Sequence, residues 1–489
     1  GEEKPEDSGG GEVSTEAGVS HGIRLAAVKL ASSQYEDYGV SAQAETAYTL
    51  TATITPADAA NKKVDWTIAF KNASSTWASG KTVTEYATVT PSADGALTAV
   101  VENVAAFGEQ IIVKATSRDN AEAYATCTVE YLQRTTGYTL TLDGKTVLAP
   151  VTGGHAVLEL PVERPRLWSA EAPELYTYEV TLTDAAGHLL ETVRGKAGFR
   201  RFELRDGLML LNGRRIVFKG VNRHEWNAAS GRCISLEDMK WDIECFKRNH
   251  INAVRTCHYP DRKEWYGLCD EAGIYVMAET NLESHGSWQK MGAVEPSWNV
   301  PGSLPEWKEA VVDRARTNFE CFKNHPSILF WSLGNESYAG DDIAAMQQFF
   351  KEKDDQRLVH YEGVFHNRAY EDRISDVESR MYAYPQEIID YLEHDPKKPY
   401  LLCEYMHDMG NSLGGMKSYM ELLDRFEMYQ GGFIWDYIDQ ALWVEDEVTG
   451  RRVLRYGGDF DDRPSDYEFS GNGILFADRS EKPAMQEVR

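Results

Sequence analysis

Residues 327–337 read SILFWSLGNES, a short apolar run that ends in an amide, a carboxylate and a hydroxyl side chain. Seven other runs share this form, and most are separated by segments with the apolar period of a helix, such as 235–250 (SLEDMKWDIECFKRNH). Eight buried strands with intervening helices predict a (β/α)8 barrel, which we place at residues 207–489. The seven other runs are RIVFKGVNRH (215–224), INAVRTCHYP (251–260), IYVMAET (274–280), LVHYEG (358–363), SRMYAYP (379–385), YLLCEY (400–405) and GGFIWDYID (431–439).

The active site of such a barrel lies at the carboxyl ends of its strands, so the polar residues that close each run are candidates for chemistry. Glu336 closes the fourth run and Glu404 the seventh, and these strands lie across the barrel mouth from each other. A single glutamate at a strand end more often forms a salt bridge. Two that face one cleft are the pair that glycoside hydrolysis needs, an acid for the leaving oxygen and a carboxylate for the sugar carbon. A separation of about 5 to 5.5 Å would imply retention of configuration, but the sequence does not contain that distance.

The chain before the barrel lacks helical periodicity and divides into three segments. Residues 1–22 are rich in Gly, Glu and Ser and predict a flexible acidic linker. Residues 23–135 hold short alternating runs between turn-forming clusters, which predicts an Ig-like β-sandwich. A spacer role is favoured for it, with carbohydrate binding as the alternative. Residues 136–206 hold four candidate strands, among them HAVLELPV (155–162), and predict part of a second sandwich. The predicted fold is therefore multidomain, all-β at the N-terminal side and a (β/α)8 barrel at the C-terminal side.

Composition excludes several classes of partner. The 489 residues include 51 Lys and Arg against 77 Asp and Glu, a net charge of -26, which disfavours nucleic acids and anionic membrane surfaces. No apolar run reaches the length of about 18 residues that membrane insertion requires. The seven cysteines are scattered without a C-x-x-C pair, which predicts reduced thiols and neither a disulfide framework nor a zinc site.

Five longer motifs lie at predicted strand ends, and a sixth follows the last predicted strand. The five are GVNRHE (220–225), AVRTCHYP (253–260), WSLGNES (331–337), CEYMHDMGNSLGG (403–415) and QGGFIWDYIDQ (430–440), and the sixth is NGILFADR (472–479). Together they closely resemble glycoside hydrolase family 2, in the branch of the large bacterial β-galactosidases. The resemblance extends over about residues 160–489 and implies a catalytic barrel. Residues 23–135 resemble the bacterial Ig-like modules that accompany surface and secreted enzymes.

The resemblance implies a role for each matching residue. Glu336 would be the general acid/base and Glu404 the nucleophile, with Asn335 hydrogen-bonded to the sugar 2-hydroxyl. Taken singly, the matching histidines would more often be structural, but their placement at strand ends favours function. Without the resemblance, the matching tryptophan would be interpreted as core packing. These remaining matches are His224, His258 and His407 for sugar hydroxyls or the transition state, Arg255 and Tyr382 for holding the nucleophile, and Trp435 for the apolar floor beneath the sugar.

The resemblance also implies two ion sites. Glu283, His285 and Glu336 match magnesium ligands, and Mg²⁺ would position the acid/base, whereas the alternative is a hydrogen-bonded network without metal. The carbonyl of Phe469 and the side chain of Asn472 match part of a Na⁺ site. In the family an aspartate from a preceding jelly-roll domain completes this site, and we find neither that domain nor the domains that usually follow the barrel. Sodium binding and galactose selectivity are therefore open at this point.

These matches predict a retaining β-D-galactosidase that hydrolyses terminal, non-reducing β-galactosides by double displacement. One alternative is another specificity of the family, β-glucuronidase or β-mannosidase, although the barrel segment lacks the Asn-x-Lys signature of glucuronidases. The other is a non-catalytic carbohydrate-binding or adhesion protein, against which the two glutamates argue. The Ig-like module and the acidic linker favour a bacterial periplasmic or extracellular location over the cytoplasm, and oligomerisation is possible.

Overall fold

The computed structural model describes residues 22–29, 47–104, 107, 109–129, 137–149, 156–183, 189–290 and 299–489. The chain divides into two compact units. The first contains Gly1–Val162 and Thr177–Gly195, and the second contains Glu163–Tyr176 and Lys196–Arg489. The predicted acidic linker lies outside the described residues apart from its last residue. Within the described ranges, every helix is too short or too polar to cross a lipid bilayer.

Seven antiparallel strands open the described chain: β1 (Gly22–Lys29), β2 (Ala47–Thr55), β3 (Val64–Phe70), β4 (Ala87–Pro91), β5 (Thr98–Asn103), β6 (Ile111–Ser117) and β7 (Tyr124–Val129). They pair in two sheets, with the orders β1-β2-β5-β4 and β3-β6-β7. Every second residue of β6 is buried, as expected for a strand with one face on a core. Leu50 and Val101 of the first sheet share an apolar cluster with Phe70 and Val113 of the second. This part of the chain therefore forms the β-sandwich that its alternation predicts.

A further antiparallel sheet contains β8 (Gly137–Leu142), β9 (Lys145–Ala149), β10 (Tyr176–Thr183) and β11 (Leu189–Ala197), in the order β11-β10-β8-β9. Three of the four strands predicted in this segment lie in it. The fourth prediction, HAVLELPV at 155–162, is wrong, because 156–162 have no regular secondary structure and Val157 is 76% exposed. Alternation becomes a strand only where a neighbouring strand supplies hydrogen bonds and cross-strand contacts, and β9 takes that place beside β8.

The second unit begins with a small antiparallel sheet of β12 (Phe202–Arg205), β13 (Leu208–Leu211) and β14 (Arg214–Arg215). Eight parallel strands follow, and each lies within one of the eight predicted apolar runs or overlaps it, which confirms the predicted barrel fold. They are β15 (Phe218–Asn222), β16 (Ala253–Arg255), β17 (Tyr275–Glu279), β18 (Ile328–Ser332), β19 (Leu358–His360), β20 (Glu378–Met381), β21 (Tyr400–Tyr405) and β22 (Tyr429–Ile434). A hairpin of β23 (Leu442–Glu445) and β24 (Arg452–Arg455) lies beyond them.

The eight strands are ordered β19-β18-β17-β16-β15-β22-β21-β20, so chain neighbours are also spatial neighbours around a curved sheet. The first and last strands pair, with Phe218 opposite Gly431. Gly431 has φ of 101°, and a Cβ there would collide with the carbonyl of Phe218, so this contact requires glycine. Among the described residues no ladder joins β19 to β20, and the hydrogen-bonded ring is open at that position.

Helices between the strands cover the outer face of the sheet. They are α1 (Leu236–Arg248), α2 (Lys263–Ala272), α3 (Pro305–Phe322), α4 (Asp341–Lys353), α5 (Pro385–Glu393), α6 (Met416–Arg425) and, at the C-terminal side, α7 (Met485–Val488). The start of α1 is fixed by a capping box, in which Ser235 and Asp238 each accept the backbone N–H of the other. Because β17, β18 and β21 are buried along their whole length, polar side chains of these strands can reach a cleft only at the strand ends.

Candidate active site

Glu404 lies near the end of β21, and both of its carboxylate oxygens are held. Oε1 accepts a hydrogen bond from Nη1 of Arg255 at 2.7 Å, and Oε2 accepts one from the hydroxyl of Tyr382 at 2.7 Å. The residue is 4% exposed. Burial and then the charge of Glu404 raise the pKa of Tyr382, so its phenol stays protonated and acts as a donor. The two donors fix the direction in which the carboxylate points, as a nucleophile requires.

Arg255, at the end of β16, is fully buried and joins four side chains. Besides Glu404, it donates from Nε to Glu279 (2.6 Å), from Nη1 to Asn222 (2.9 Å) and from Nη2 to Asn335 (2.8 Å). Burial alone would lower the pKa of Arg255, but the carboxylates of Glu279 and Glu404 raise it well above the usual value. A buried guanidinium is tolerated when it is paired in this way, and removing a partner would leave a charge uncompensated.

Glu336 follows β18 with φ of 39°, a left-handed conformation that a residue other than glycine keeps only when its surroundings hold it there. Its backbone N–H donates to Oε1 of Glu362 at 2.7 Å. Burial, and then the charge of Glu404, raise the pKa of the Glu336 carboxyl, while His285 opposes the shift. One carboxyl with a raised pKa and a second one held by two donors is the division of roles expected between an acid and a nucleophile.

Asn335 links the two halves of this network. Its Oδ1 accepts from Arg255, and its Nδ2 donates to Oε1 of Glu283 at 3.0 Å. The backbones of Glu283 and Asn335 also form an isolated bridge. The side chain is therefore oriented on both sides, although it directly precedes the strained backbone of Glu336.

Two histidines and a tryptophan form a group of aromatic rings at the ends of the first, second and eighth strands. His258 and Trp435 stack 5.2 Å apart at 7°, and His224 meets Trp435 edge-on at 5.6 Å. Nδ1 of His258 lies 2.7 Å from Glu279, and Nδ1 of His224 lies 3.1 Å from the Tyr259 hydroxyl, so both rings are oriented by hydrogen bonds. Burial, and then His258, lower the pKa of His224 well below its usual value, so this imidazole is neutral at pH 7.

A third predicted histidine, His407, lies beside Tyr382, which donates to the candidate nucleophile. The ring of His407 is 5.4 Å from that of Tyr382 and 5.8 Å from that of Phe469. Burial lowers the pKa of His407, with Glu404 acting in the opposite direction. Phe469 is 56% exposed, so this side of the site is open to solvent in the described chain.

The predicted magnesium ligands are only partly assembled. Nδ1 of His285 lies 3.1 Å from Oε2 of Glu336, whereas Glu283 reaches them through Asn335. Among the described residues the three do not form a cluster with all ligand atoms within 4.8 Å of one another. Glu283 and His285 are exposed, and two carboxylates with an imidazole fit a hard divalent ion that keeps several water ligands.

The two residues of the predicted sodium site are in direct contact. Nδ2 of Asn472 donates to the carbonyl of Phe469 at 2.5 Å. Asn472 is 1% exposed, and its Oδ1 has no hydrogen-bond partner among the described residues. Burial of an acceptor without a donor costs about 1 to 3 kcal/mol of stability. Binding of a small cation or a hydroxyl group at this oxygen would remove that cost. The Asn472 oxygen is therefore available to a monovalent ion, whereas the Phe469 carbonyl accepts the Asn472 amide.

Hydrogen bonds, ring contacts and the peptide bond between Asn335 and Glu336 connect the predicted site residues. Two carboxyl groups among their partners were not assigned a role from the sequence. Glu279, fully buried at the end of β17, holds both Arg255 and His258. Glu362, beyond the end of β19, accepts the Glu336 N–H, and burial raises its pKa to about 8. Each is a carboxylate at the end of an apolar run, the signal that already distinguishes Glu336 and Glu404.

Two family models match this chain. The TIM barrel domain of "Glycosyl hydrolases family 2" matches residues 202–489, which is more than half of the chain. A second model, "Glycosyl hydrolases family 2", matches residues 106–200 and so begins within the predicted Ig-like module, 23–135.

Several relatives are similar over about two thirds of this chain. The chain is 65% identical over 344 residues to the β-galactosidase large subunit of Latilactobacillus sakei, which covers 70% of this chain and 55% of that protein. The large subunit of Leuconostoc lactis is 67% identical, covering 66% and 52%. The β-galactosidase of Halalkalibacterium halodurans is 61% identical, covering 68% and 33%. The chain therefore spans about half the length of the first two of these relatives.

The similarity also extends to solved structures. The β-glucuronidase of Ruminococcus gnavus superposes with a TM-score of 0.55 over 81% of this chain and 70% of that chain, at 20% sequence identity. At that identity the likeness concerns the fold alone. The barrel with its network of strand-end carboxylates, together with the match of the barrel domain over 202–489, establishes that this chain belongs to glycosyl hydrolase family 2.

Proposed function

We propose that this chain carries the catalytic barrel of a retaining β-D-galactosidase, which hydrolyses terminal, non-reducing β-galactosides. The observation that carries the proposal is the contrast between two carboxyl groups at strand ends. Glu404 is held at both oxygens by Arg255 and Tyr382, whereas burial and a neighbouring negative charge raise the pKa of Glu336. Retaining glycosidases need this pair, one group to attack and one to transfer a proton.

In the first half of the reaction, Glu404 attacks the anomeric carbon while Glu336 protonates the glycosidic oxygen. The bond to the aglycone breaks, and an ester between the sugar and Glu404 forms. In the second half, Glu336 takes a proton from water, the water oxygen bonds to the anomeric carbon, and the ester bond to Glu404 breaks. Arg255 and Tyr382 then receive the released carboxylate with the same two hydrogen bonds.

The choice of galactose rests on the relatives and on the aromatic group in the site. Relatives that are 61 to 67% identical over 324 to 344 residues are named β-galactosidases. Trp435, backed by the parallel ring of His258, offers a flat apolar surface to the C–H face of a pyranose. The aglycone is not specified by these contacts.

We expect kcat/KM for p-nitrophenyl β-D-galactoside to exceed those for the glucuronide, mannoside and glucoside by at least about 100-fold, because a misplaced hydroxyl leaves buried polar groups unpaired. Steady-state hydrolysis by the full chain measures this, with Glu404→Gln as the blank. A preference for the glucuronide or mannoside would select another specificity of the family. A folded chain that binds galactose without turnover would be the non-catalytic carbohydrate-binding protein instead.

We also propose that Mg²⁺ binds at Glu283, His285 and Glu336, and Na⁺ at the Phe469 carbonyl and Asn472 Oδ1. Magnesium would supply positive charge beside the acid/base. Removal of divalent ions with a chelator is expected to lower kcat/KM by roughly 10- to 100-fold. Losses of this size are typical when a group that hydrogen-bonds a metal ligand is removed. Added Mg²⁺ should restore it, and His285→Ala should make the chelator nearly ineffective. Equal rates with and without chelator would favour the metal-free hydrogen-bonded network.

Two of the relatives are named large subunits, and we propose that this chain also works within an assembly. Sedimentation of the purified chain, alone and with candidate partner polypeptides, measures the assembly directly.

The Ig-like module leads us to propose a location outside the cytoplasm, which fractionation of the producing cells tests.

A further inference from the structure

Glu362 is a buried carboxyl that no step of the proposed mechanism uses. It lies beyond the end of β19 and is 3% exposed. Oε1 accepts the backbone N–H of Glu336 at 2.7 Å, and Oε2 has no hydrogen-bond partner among the described residues. Within the described part of the chain, the one hydrogen bond that this side chain accepts from another residue comes from the candidate acid/base.

The residue before it makes the matching contact. The hydroxyl of Tyr361 accepts the backbone N–H of Ser337 at 2.9 Å and donates to the carbonyl of the same residue. Two consecutive side chains that directly follow the fifth strand thus hold two consecutive N–H groups of the turn that carries Glu336. That turn includes the left-handed backbone at Glu336, a conformation that persists only when the surroundings impose it.

A metal role for the same side chain is less well supported. His360, Glu362 and Cys403 place one ligand atom each within 4.8 Å of one another. However, Nδ1 of His360 lies 2.9 Å from the Ser332 hydroxyl and Nε2 lies 2.7 Å from the Ser379 hydroxyl, so both ring nitrogens are already engaged. The His360 ring is therefore held by Ser332 and Ser379, which leaves neither nitrogen available for a metal.

We infer that Glu362 is a positioning residue for the general acid/base, which it holds by fixing the backbone of Glu336 so that the Glu336 carboxyl faces the leaving group. The inference rests on the proposed function. Without the Glu362 acceptor, the Glu336 N–H would be left unpaired and the turn would relax. The Glu336 carboxyl would then lie away from the glycosidic oxygen, while Glu404, held separately by Arg255 and Tyr382, would keep its place.

The test compares two leaving groups in variants of the full chain. Phenyl β-D-galactoside needs a proton for its leaving oxygen, whereas 2,4-dinitrophenyl β-D-galactoside does not. For Glu362→Leu, kcat/KM for the phenyl substrate is expected to fall by about 100-fold, the scale of a misplacement of about 1 Å, with a much smaller fall for the dinitrophenyl substrate. Glu362→Gln, which retains the acceptor oxygen, should keep the wild-type ratio of the two rates. Glu362→Asp, whose side chain is one methylene group shorter, is also expected to change the ratio of the two rates. This variant supplies the test if Glu362→Leu does not fold.

Gln430→Leu is the matched control, because Gln430 is also a buried side chain that accepts a backbone N–H, that of Met209 at 2.8 Å, but it lies near the start of β22. It should lower thermal stability without changing the leaving-group ratio. An equal fall for both substrates in Glu362→Leu and Glu362→Asp would overturn the positioning role and leave a structural one. If the unsubstituted chain hydrolyses neither galactoside, the proposed function fails first, and the positioning role fails with it.

Discussion

Replacing Glu404 with Gln is expected to lower kcat/KM for galactosides by about 10⁴-fold or more, which corresponds to about 5.5 kcal/mol of activation free energy. An amide is too weak a nucleophile to form the glycosyl-enzyme, so the loss should be the same for good and poor leaving groups. Steady-state rates with phenyl and 2,4-dinitrophenyl β-D-galactoside measure it. In the unsubstituted chain, a 2-fluoro galactoside should label the peptide that contains Glu404, and mass spectrometry should find no label in the variant.

The control for this prediction is Glu378→Gln, the same change at another buried barrel glutamate. Glu378 begins β20, at the opposite end of the strands, and accepts from Arg368 at 2.6 Å and Arg380 at 2.9 Å. It should retain the leaving-group dependence and most of the rate. Activity of Glu404→Gln within 10-fold of the unsubstituted chain, after exclusion of contamination by the parent enzyme, would reject Glu404 as nucleophile.

The barrel was predictable because each strand is buried on both faces and therefore appears as a continuous apolar run. The strands β17, β18 and β21 show this directly. The antiparallel segment was less predictable. HAVLELPV (155–162) has the alternation of a strand, yet 156–162 form none, because pairing depends on which segment arrives beside β8. The local alternation shows which segments can form a strand, and packing against distant parts of the chain decides which of them do.

A similar limit applies to the site. The strand-end positions of Glu336 and Glu404 predicted that both face one cleft. The contacts that distinguish their roles, however, join residues far apart in the chain. Arg255 reaches Glu404 across 149 positions and Asn335 across 80. Glu279 and Glu362 also lie at strand ends. Only the structure shows that Glu279 accepts a hydrogen bond from Arg255 and that Glu362 accepts one from the Glu336 N–H. The sequence predicts which residues are available, whereas packing assigns their partners.

Replacing Glu336 with Ala is expected to make hydrolysis depend strongly on the leaving group. For phenyl β-D-galactoside, kcat/KM should fall by about 10²- to 10⁴-fold, the usual contribution of a general acid, while the dinitrophenyl substrate should lose little in this step. Breakdown of the glycosyl-enzyme should then become slow, because no base activates water. Azide, which needs no base, should accelerate turnover of the dinitrophenyl substrate and yield a β-galactosyl azide, detectable by mass spectrometry.

The pH dependence gives the same assignment an independent test. Burial and the charge of Glu404 raise the pKa of Glu336, so its protonated form persists to higher pH than that of an ordinary glutamate. Because the acid must carry its proton, kcat/KM for phenyl β-D-galactoside should decline as pH rises through this raised pKa. The decline should disappear in Glu336→Ala, which has nothing to titrate at that position, and for the dinitrophenyl substrate, which needs no acid. A decline that persists unchanged in the variant would place the acid on another residue.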